Sequence, residues 1–157
     1  MSQKVRNANI TTGGNDQVNR ARGKDSDGKR GNDFTLGGGM NTVVMNRVDG
    51  SGKEGLSISV AEGTEAYTEV AINGPASYLN YTGSAGIDSI TVAGAVSNSN
   101  IELGGGYNTF SAYNESKEAL QKVSNTNISA HGESDTNLAH GNDCPLYTSD
   151  AADEEDR

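Results

Sequence analysis

The sequence predicts an all-β protein, a parallel β-solenoid (β-helix) of five to six irregular coils of 20–27 residues. Three observations support this: one pattern recurs along the chain, each copy has a Gly-containing turn between alternating apolar positions, and only 32% of residues are hydrophobic. Coils of this length cannot bury an apolar face alone, whereas parallel stacking buries one or two apolar residues per strand. A thin stack therefore explains the low hydrophobic fraction.

The recurring pattern reads apolar-x-apolar-x-x-Gly-x-polar-x-apolar. Residues 34–43 (FTLGGGMNTV) and 101–110 (IELGGGYNTF) are almost identical. Further copies of differing quality lie at residues 10–18, 58–67, 81–90 and 128–137. Alternation on both sides of a Gly turn indicates a strand, a tight turn and a second strand.

Stacking the copies predicts three columns of side chains. Two columns point inward: Ile10, Phe34, Ile58, Tyr81, Ile101 and Ile128 in the first, and Val18, Val43, Tyr67, Ile90 and Phe110 in the second. The third column holds the polar residue after each turn: Asp16, Asn41, Glu65, Asp88, Asn108 and Asp135. We expect the polar residues to lie at successive levels of one corner. An antiparallel sandwich, which short strands with Gly turns also suggest, would scatter them over different faces.

One segment is predicted to be helical. The longest step between coils contains ESKEALQKV at residues 115–123. We expect one short inserted helix there, with Asn114 as its N-cap and Glu118 paired with Lys122 at i,i+4.

The two ends of the chain differ from the repeats. Residues 1–7 are predicted to be a disordered N-terminus, residues 8–139 the solenoid, and residues 140–157 a disordered acidic tail. Residues 146–154 (LYTSDAADE) are similar to translated read-through of a sequencing adapter. That similarity implies that the tail is an artefact and that the repeats are a metagenomic fragment of a longer protein.

One of the repeats resembles a known protein family. Residues 83–91 (GSAGIDSIT) resemble a nonapeptide of the RTX calcium-binding repeats, and residues 88–106 are similar to coils of large secreted bacterial adhesins. In RTX proteins, acidic turns one coil apart hold calcium outside the cell. The resemblance implies calcium ligands at Asp16, Asp88 and Asp135, and an extracellular or cell-surface location. Asp and Asn after a turn also hydrogen-bond the turn backbone, so both roles stay open for the polar column.

Composition excludes several classes of function. One Cys provides neither a disulfide framework nor a Cys-based zinc cage. No apolar run approaches the ~18 residues of a membrane span. The formal net charge of −9 opposes binding to phosphate backbones, so no nucleic-acid partner is expected.

The sequence therefore predicts a structural or adhesive repeat segment of a large secreted or cell-surface bacterial protein, with calcium as its candidate cofactor. We expect no enzymatic activity, and we expect neighbouring repeats and a carbohydrate or cell-surface ligand as partners. The alternative is a carbohydrate-binding or carbohydrate-cleaving β-helix of the phage tailspike or lyase type. One groove with two carboxylates and at least two of these tyrosines would favour it: Tyr67, Tyr78, Tyr81, Tyr107 and Tyr113.

Overall fold

The computed structural model describes residues 9–11, 18–28, 32–50, 55–61, 66–131, 137–142 and 146–149. Over these residues the chain winds as a parallel β-solenoid of about four turns, with almost no helix. The predicted fold class is confirmed. The number of turns is lower than the five to six predicted, and further strands extend the sheets at both ends.

Each turn of the solenoid has three faces. Face A is a seven-stranded sheet in the order β1 (Asn9–Thr11), β3 (Asn32–Leu36), β5 (Leu56–Val60), β8 (Leu79–Thr82), β11 (Asn100–Glu102), β15 (Asn127–His131) and β17 (Leu146–Ser149). Face B contains the first parts of β2 (Val18–Gly28) and β4 (Met40–Gly50), then β6 (Tyr67–Ile72), β9 (Ile87–Val92), β12 (Asn108–Asn114) and β16 (Asn137–His140). Face C contains the last parts of β2 and β4, then β7 (Ala76–Ser77), β10 (Val96–Ser97) and β14 (Val123–Ser124).

The interior is filled by the alternate residues of each strand, because successive side chains point to opposite faces of a sheet. The first predicted inward column is confirmed on face A, where neighbouring members pair level by level. Its members with described side chains are each at most 1% exposed: Phe34, Ile58, Tyr81, Ile101 and Ile128. The core therefore runs along the solenoid axis as a continuous stack.

The second predicted inward column is correct at Val43, Ile90 and Phe110, which are fully buried on face B. It is wrong at Tyr67, which is 40% exposed. Val70 occupies that level instead, since it pairs with both Val43 and Ile90.

The error at Tyr67 arises from an uneven turn length. Eight positions lead from Val60 to Thr68, whereas five lead from Leu36 to Asn41, although the members of both pairs are in register. The gapless alignment of the repeats therefore placed the second half of this coil three residues too early. A similar offset affects the first coil.

In that first coil, the position beside Val43 belongs to Ala21 rather than to the predicted Val18, which pairs with Met40. The extra positions lie between the paired strands, where added length is tolerated better than a break in strand register.

The short helix predicted near residues 115–123 forms only at the start of that range. The chain forms a 3₁₀ turn at Glu115–Lys117, and Glu118 ends it in the left-handed conformation with φ of 48°. The next strand, β13 (Ala119–Leu120), pairs antiparallel with β12 and forms a hairpin. One i,i+4 pair stabilises a helix by only a few tenths of a kcal/mol, whereas the hairpin returns the chain to face C. The predicted N-cap is confirmed, since the Asn114 side chain accepts a hydrogen bond from the Lys117 amide at 3.1 Å.

The described residues do not decide the predicted domain boundaries at the two ends of the chain. Residues 1–7 lie outside the described part, while Leu146–Ser149, within the predicted tail, pairs in parallel with β15. The boundaries at 8–139 and 140–157 stay predictions. Within the described ranges, no helix is long and apolar enough to cross a membrane.

Candidate functional site at the corner between faces A and B

The turns that lead from face A to face B stack closely on one another. The Tyr67 amide donates to the Gly39 carbonyl and the Ile87 amide donates to the Ala66 carbonyl, both at 2.9 Å. Gly106 has φ of +84°, and a Cβ on it would fall on the carbonyl oxygen of Gly86 in the turn below. This close stacking fixes which residues after each turn point inward and which point outward.

A row of polar side chains lies inside this corner, and we call it the buried ladder. It consists of Asn41, Thr68, Asp88 and Asn108, each at most 1% exposed. The predicted levels of Asn41, Asp88 and Asn108 are confirmed, which excludes the antiparallel sandwich. Thr68 occupies the level predicted for Glu65, which lies outside the described residues.

The asparagines of the buried ladder bind the backbone of their own turns. Asn108 Nδ2 donates to the carbonyls of Leu103 at 2.9 Å, Gly105 at 3.0 Å and Gly104 at 3.3 Å. Its Oδ1 accepts from the Asp88 amide of the preceding level at 3.0 Å. Asn41 Nδ2 donates to the Gly37 carbonyl at 2.9 Å. At these two levels the polar side chain hydrogen-bonds the backbone of the turn, which is one of the two roles that the sequence left open.

Asp88 differs from the asparagines because an ionised carboxylate has no proton to donate. Its Oδ1 accepts a 2.6 Å hydrogen bond from the Tyr81 hydroxyl, while its Oδ2 is buried without a hydrogen-bond partner. Burial raises the pKa of Asp88 to about 6, although hydrogen bonds from Tyr81 and the Ser84 backbone oppose the shift. Burial, and then the charge of Asp88, raise the pKa of Tyr81 above its usual value.

Of the three predicted calcium ligands, the structure describes Asp88 alone. Asp16 and Asp135 lie outside the described residues. In the strand register, Asn19 occupies the position beside Asn41, and Asn137 occupies the position beside Asn108. Calcium takes six to eight oxygen ligands, whereas Asp88 offers one unpartnered oxygen between levels that carry Thr68 and Asn108. The described side chains include no group of three or more His, Cys, Asp or Glu placed to hold a metal. Calcium at Asp88 therefore stays a prediction.

The outer surface of the same corner carries a row of large apolar side chains, which we call the corner stripe. Met40, Tyr67, Ile87 and Tyr107 are 54%, 40%, 43% and 62% exposed. Met40, Tyr67 and Ile87 pair level by level, and Tyr107 lies at the next level, directly before Asn108. Among the side chains whose burial the structure describes, one further large apolar residue is exposed, Leu120 in the hairpin.

The corner stripe includes a shallow apolar cavity. Its volume is about 410 Å³, and its lining consists of Tyr67, Ile87 and Tyr107 together with the small residues Ala66, Ala85, Gly86 and Gly106. This lining contains no charged residue. Two aromatic side chains beside small glycine and alanine residues suit the flat apolar face of a ligand ring.

Sequence reasoning missed the corner stripe. The alignment assigned Tyr67 to the interior, which hid its place between Met40 and Ile87. A signal was present, because the residue just before the polar position is large and apolar at Met40, Ile87 and Tyr107. A surface position occupied repeatedly by such residues indicates an interaction surface.

A second depression lies on face B beside the hairpin. Its volume is about 630 Å³, and its lining includes Glu69, Thr91, Ser111, Tyr113 and Glu115. It therefore holds two carboxylates but one of the five tyrosines named above. At least two of those tyrosines would be needed to favour a carbohydrate-cleaving groove.

Comparison with known proteins finds no relative of this chain. No family model matches the chain, no curated protein matches it, and no solved structure matches it. The functional proposal therefore depends on the geometry of the corner.

Proposed function

We propose that the chain is a structural and adhesive repeat segment of a large secreted or cell-surface bacterial protein, with the corner stripe as its contact surface. One observation carries the proposal: among the side chains with described burial, four of the five large apolar residues that are exposed lie in one column. Adjacent levels of a sheet are about 4.8 Å apart, so the corner stripe spans roughly 14 Å. A straight row of this kind suits an extended, repetitive partner.

The partner that fits the corner stripe best is a neutral polysaccharide. Tyrosine rings provide flat apolar surface at little cost in conformational entropy, and they stack on the apolar faces of sugar rings. Tyr67 and Tyr107 are two levels apart, roughly 10 Å, which is close to the length of two sugar units in an extended chain. The uncharged lining and the net charge of −9 both disfavour an anionic chain.

Binding to insoluble polysaccharide tests this proposal. We expect the chain to be depleted from solution by cellulose or chitin particles, and the Tyr67→Ser/Tyr107→Ser double variant to lose about 5- to 150-fold in affinity. Each stacked ring contributes about 0.5–1.5 kcal/mol, and 1.4 kcal/mol corresponds to a factor of ten. Tyr113→Ser, in the depression on face B, is the matched control and should bind as the wild type does.

We expect each variant to remain folded, because both stripe tyrosines are substantially exposed. Circular dichroism would verify this. Failure of the wild-type chain to bind either polysaccharide would contradict the carbohydrate partner. Equal binding by the double variant would contradict the role of the corner stripe.

The depression on face B supports a second candidate function, cleavage of a carbohydrate. Glu69 and Glu115 share it with Tyr113, and pairs of carboxylates are the usual catalytic groups of glycoside hydrolysis. The same particle assays distinguish the two functions. Release of soluble sugars, together with loss of binding in Tyr113→Ser, would favour the enzymatic alternative over the adhesive segment.

A further inference from the structure

The corner stripe alternates between two kinds of side chain along the solenoid axis. From one level to the next it consists of Met40, Tyr67, Ile87 and Tyr107, so an aliphatic side chain precedes each tyrosine. Because adjacent levels are about 4.8 Å apart, each kind of side chain recurs roughly every 10 Å. A ligand that matches the corner stripe therefore has a repeat of two units rather than one.

The extended chains of cellulose and chitin have such a repeat. Successive sugar units in these polymers are turned over by half a rotation, so the structure repeats after two sugars. A substituent on the same ring carbon consequently points to opposite edges of the chain in alternate units. A chain that lies along the corner stripe thus presents its substituents alternately to the turns and to face B.

The edge of the corner stripe toward the turns has room for an apolar substituent. The cavity there is lined by Ala66, Ala85 and Gly86 beside Ile87, and none of these four carries a polar side chain. A methyl group placed in this cavity is stabilised by the burial of apolar surface. A bare hydroxyl would lose water there without a hydrogen-bond partner from these four side chains, which is unfavourable.

The edge toward face B carries hydrogen-bonding side chains instead. Glu69, Ser89 and Thr109 are in register, and each lies two positions after a residue of the corner stripe. Two positions along a strand span roughly 7 Å, so the polar substituents of a sugar stacked on Tyr67 face this row. The exposed Glu69 carboxylate accepts hydrogen bonds, and its charge opposes a polysaccharide that carries carboxylates.

We infer that the corner stripe selects chitin, a neutral polymer of N-acetylated amino sugars, over the unsubstituted polymer cellulose. This inference rests on the proposed polysaccharide function of the same surface. The sugar stacked on Tyr67 directs its acetamido group toward face B, where Glu69 accepts the amide N–H. The next sugar is turned over, so its acetamido group enters the cavity and its methyl group packs against Ile87.

The acetamido group is the difference between chitin and cellulose, which carries a hydroxyl at the same ring carbon. Each acetamido group adds one methyl, and burial of one such group corresponds to about fourfold in affinity. Met40 and Ile87 provide two aliphatic levels in the corner stripe. The tyrosines stack on either polymer, so they contribute affinity, while the aliphatic residues contribute selectivity.

Partition of the chain between solution and particles of chitin or of cellulose tests the inference. We expect Met40→Ala/Ile87→Ala to lower the ratio of chitin affinity to cellulose affinity by about 4- to 15-fold relative to the wild type. Comparison with the wild type on the same particles cancels their unequal surface areas. Leu120→Ala is the matched control, because Leu120 is 44% exposed and Ile87 43%, but Leu120 lies in the hairpin. Its ratio should equal that of the wild type.

Competition by soluble sugars measures the selectivity of the wild type directly. Hexamers of N-acetylglucosamine should release the chain from chitin at a concentration about fourfold or more below that needed with hexamers of glucose. Equal release by the two hexamers, or an unchanged ratio in Met40→Ala/Ile87→Ala, would overturn the inference. Polysaccharide binding itself would then stand if Tyr67→Ser/Tyr107→Ser loses affinity for both polymers. Absence of wild-type binding to both particles would overturn the proposed function and this inference together.

Discussion

Gly106→Ala is expected to destabilise the solenoid by more than about 3 kcal/mol. Gly106 has φ of +84°, and its added Cβ would fall on the backbone carbonyl of Gly86. A left-handed conformation costs a residue with a Cβ about 1–2 kcal/mol, and the clash with backbone adds to this because the stacked turns cannot separate without breaking their hydrogen bonds. Domains are usually stable by about 5–15 kcal/mol, so the loss is a large fraction of the total.

The midpoint of urea unfolding measures this effect. Thr91→Ala, at an exposed position on β9, is the control and should change the free energy of unfolding by less than about 0.5 kcal/mol. A loss below about 1 kcal/mol for Gly106→Ala would contradict the close stacking of the turns at the corner.

Ile90→Ala is expected to cost about 2–5 kcal/mol, whereas Ile87→Ala should cost less than about 1 kcal/mol. Both isoleucines belong to β9, but Ile90 is fully buried and Ile87 is 43% exposed. Truncating Ile90 leaves a cavity between Val70 and Phe110, the neighbours in its column. Truncating Ile87 removes surface from the corner stripe, so it should weaken binding to polysaccharide rather than folding.

Denaturation curves of the two variants under the same conditions measure the difference. Because the residue type, the strand and the substitution are the same, propensity effects cancel. Equal destabilisation by the two substitutions would contradict the assignment of Ile87 to the surface.

The sequence predicted the architecture well where the coils have equal turns. Residues 34–43, 81–90 and 101–110 share one spacing, and their apolar positions lie in the interior as predicted. It failed at the third coil, because alternation defines strands but does not measure the turn between them. Ala66, Tyr67 and Val70 are all apolar, so the segment matched the pattern in the wrong register as well as in the correct one.

The predicted helix is limited to a 3₁₀ turn for a related reason. Residues 115–123 have good helical propensity, but short helices are marginal without packing. The described geometry instead places Val123 in the core of face C, 2% exposed. Tertiary burial of one residue thus outweighed local preference.

The candidate site was only partly predictable. The sequence indicated that Tyr81 points inward and that Asp88 follows the turn, but it could not show that Asp88 is itself enclosed and meets the Tyr81 hydroxyl at 2.6 Å. That contact joins residues seven positions apart in one coil, so it depends on the geometry of the turn between β8 and β9. The corner stripe depends instead on how the coils stack, since it exists only when Tyr67 lies between Met40 and Ile87.

Disulfide formation between neighbouring levels tests this register most directly. In a Cys144→Ser background, the structure predicts that Tyr67→Cys/Ile87→Cys forms an intramolecular disulfide on mild oxidation, because these positions pair directly. Adjacent levels are about 4.8 Å apart, within the range that a disulfide spans. Tyr67→Cys/Ile90→Cys should remain reduced, since three positions along a strand add roughly 10 Å. Cross-linking of the second pair and not the first would contradict the register on which the corner stripe depends.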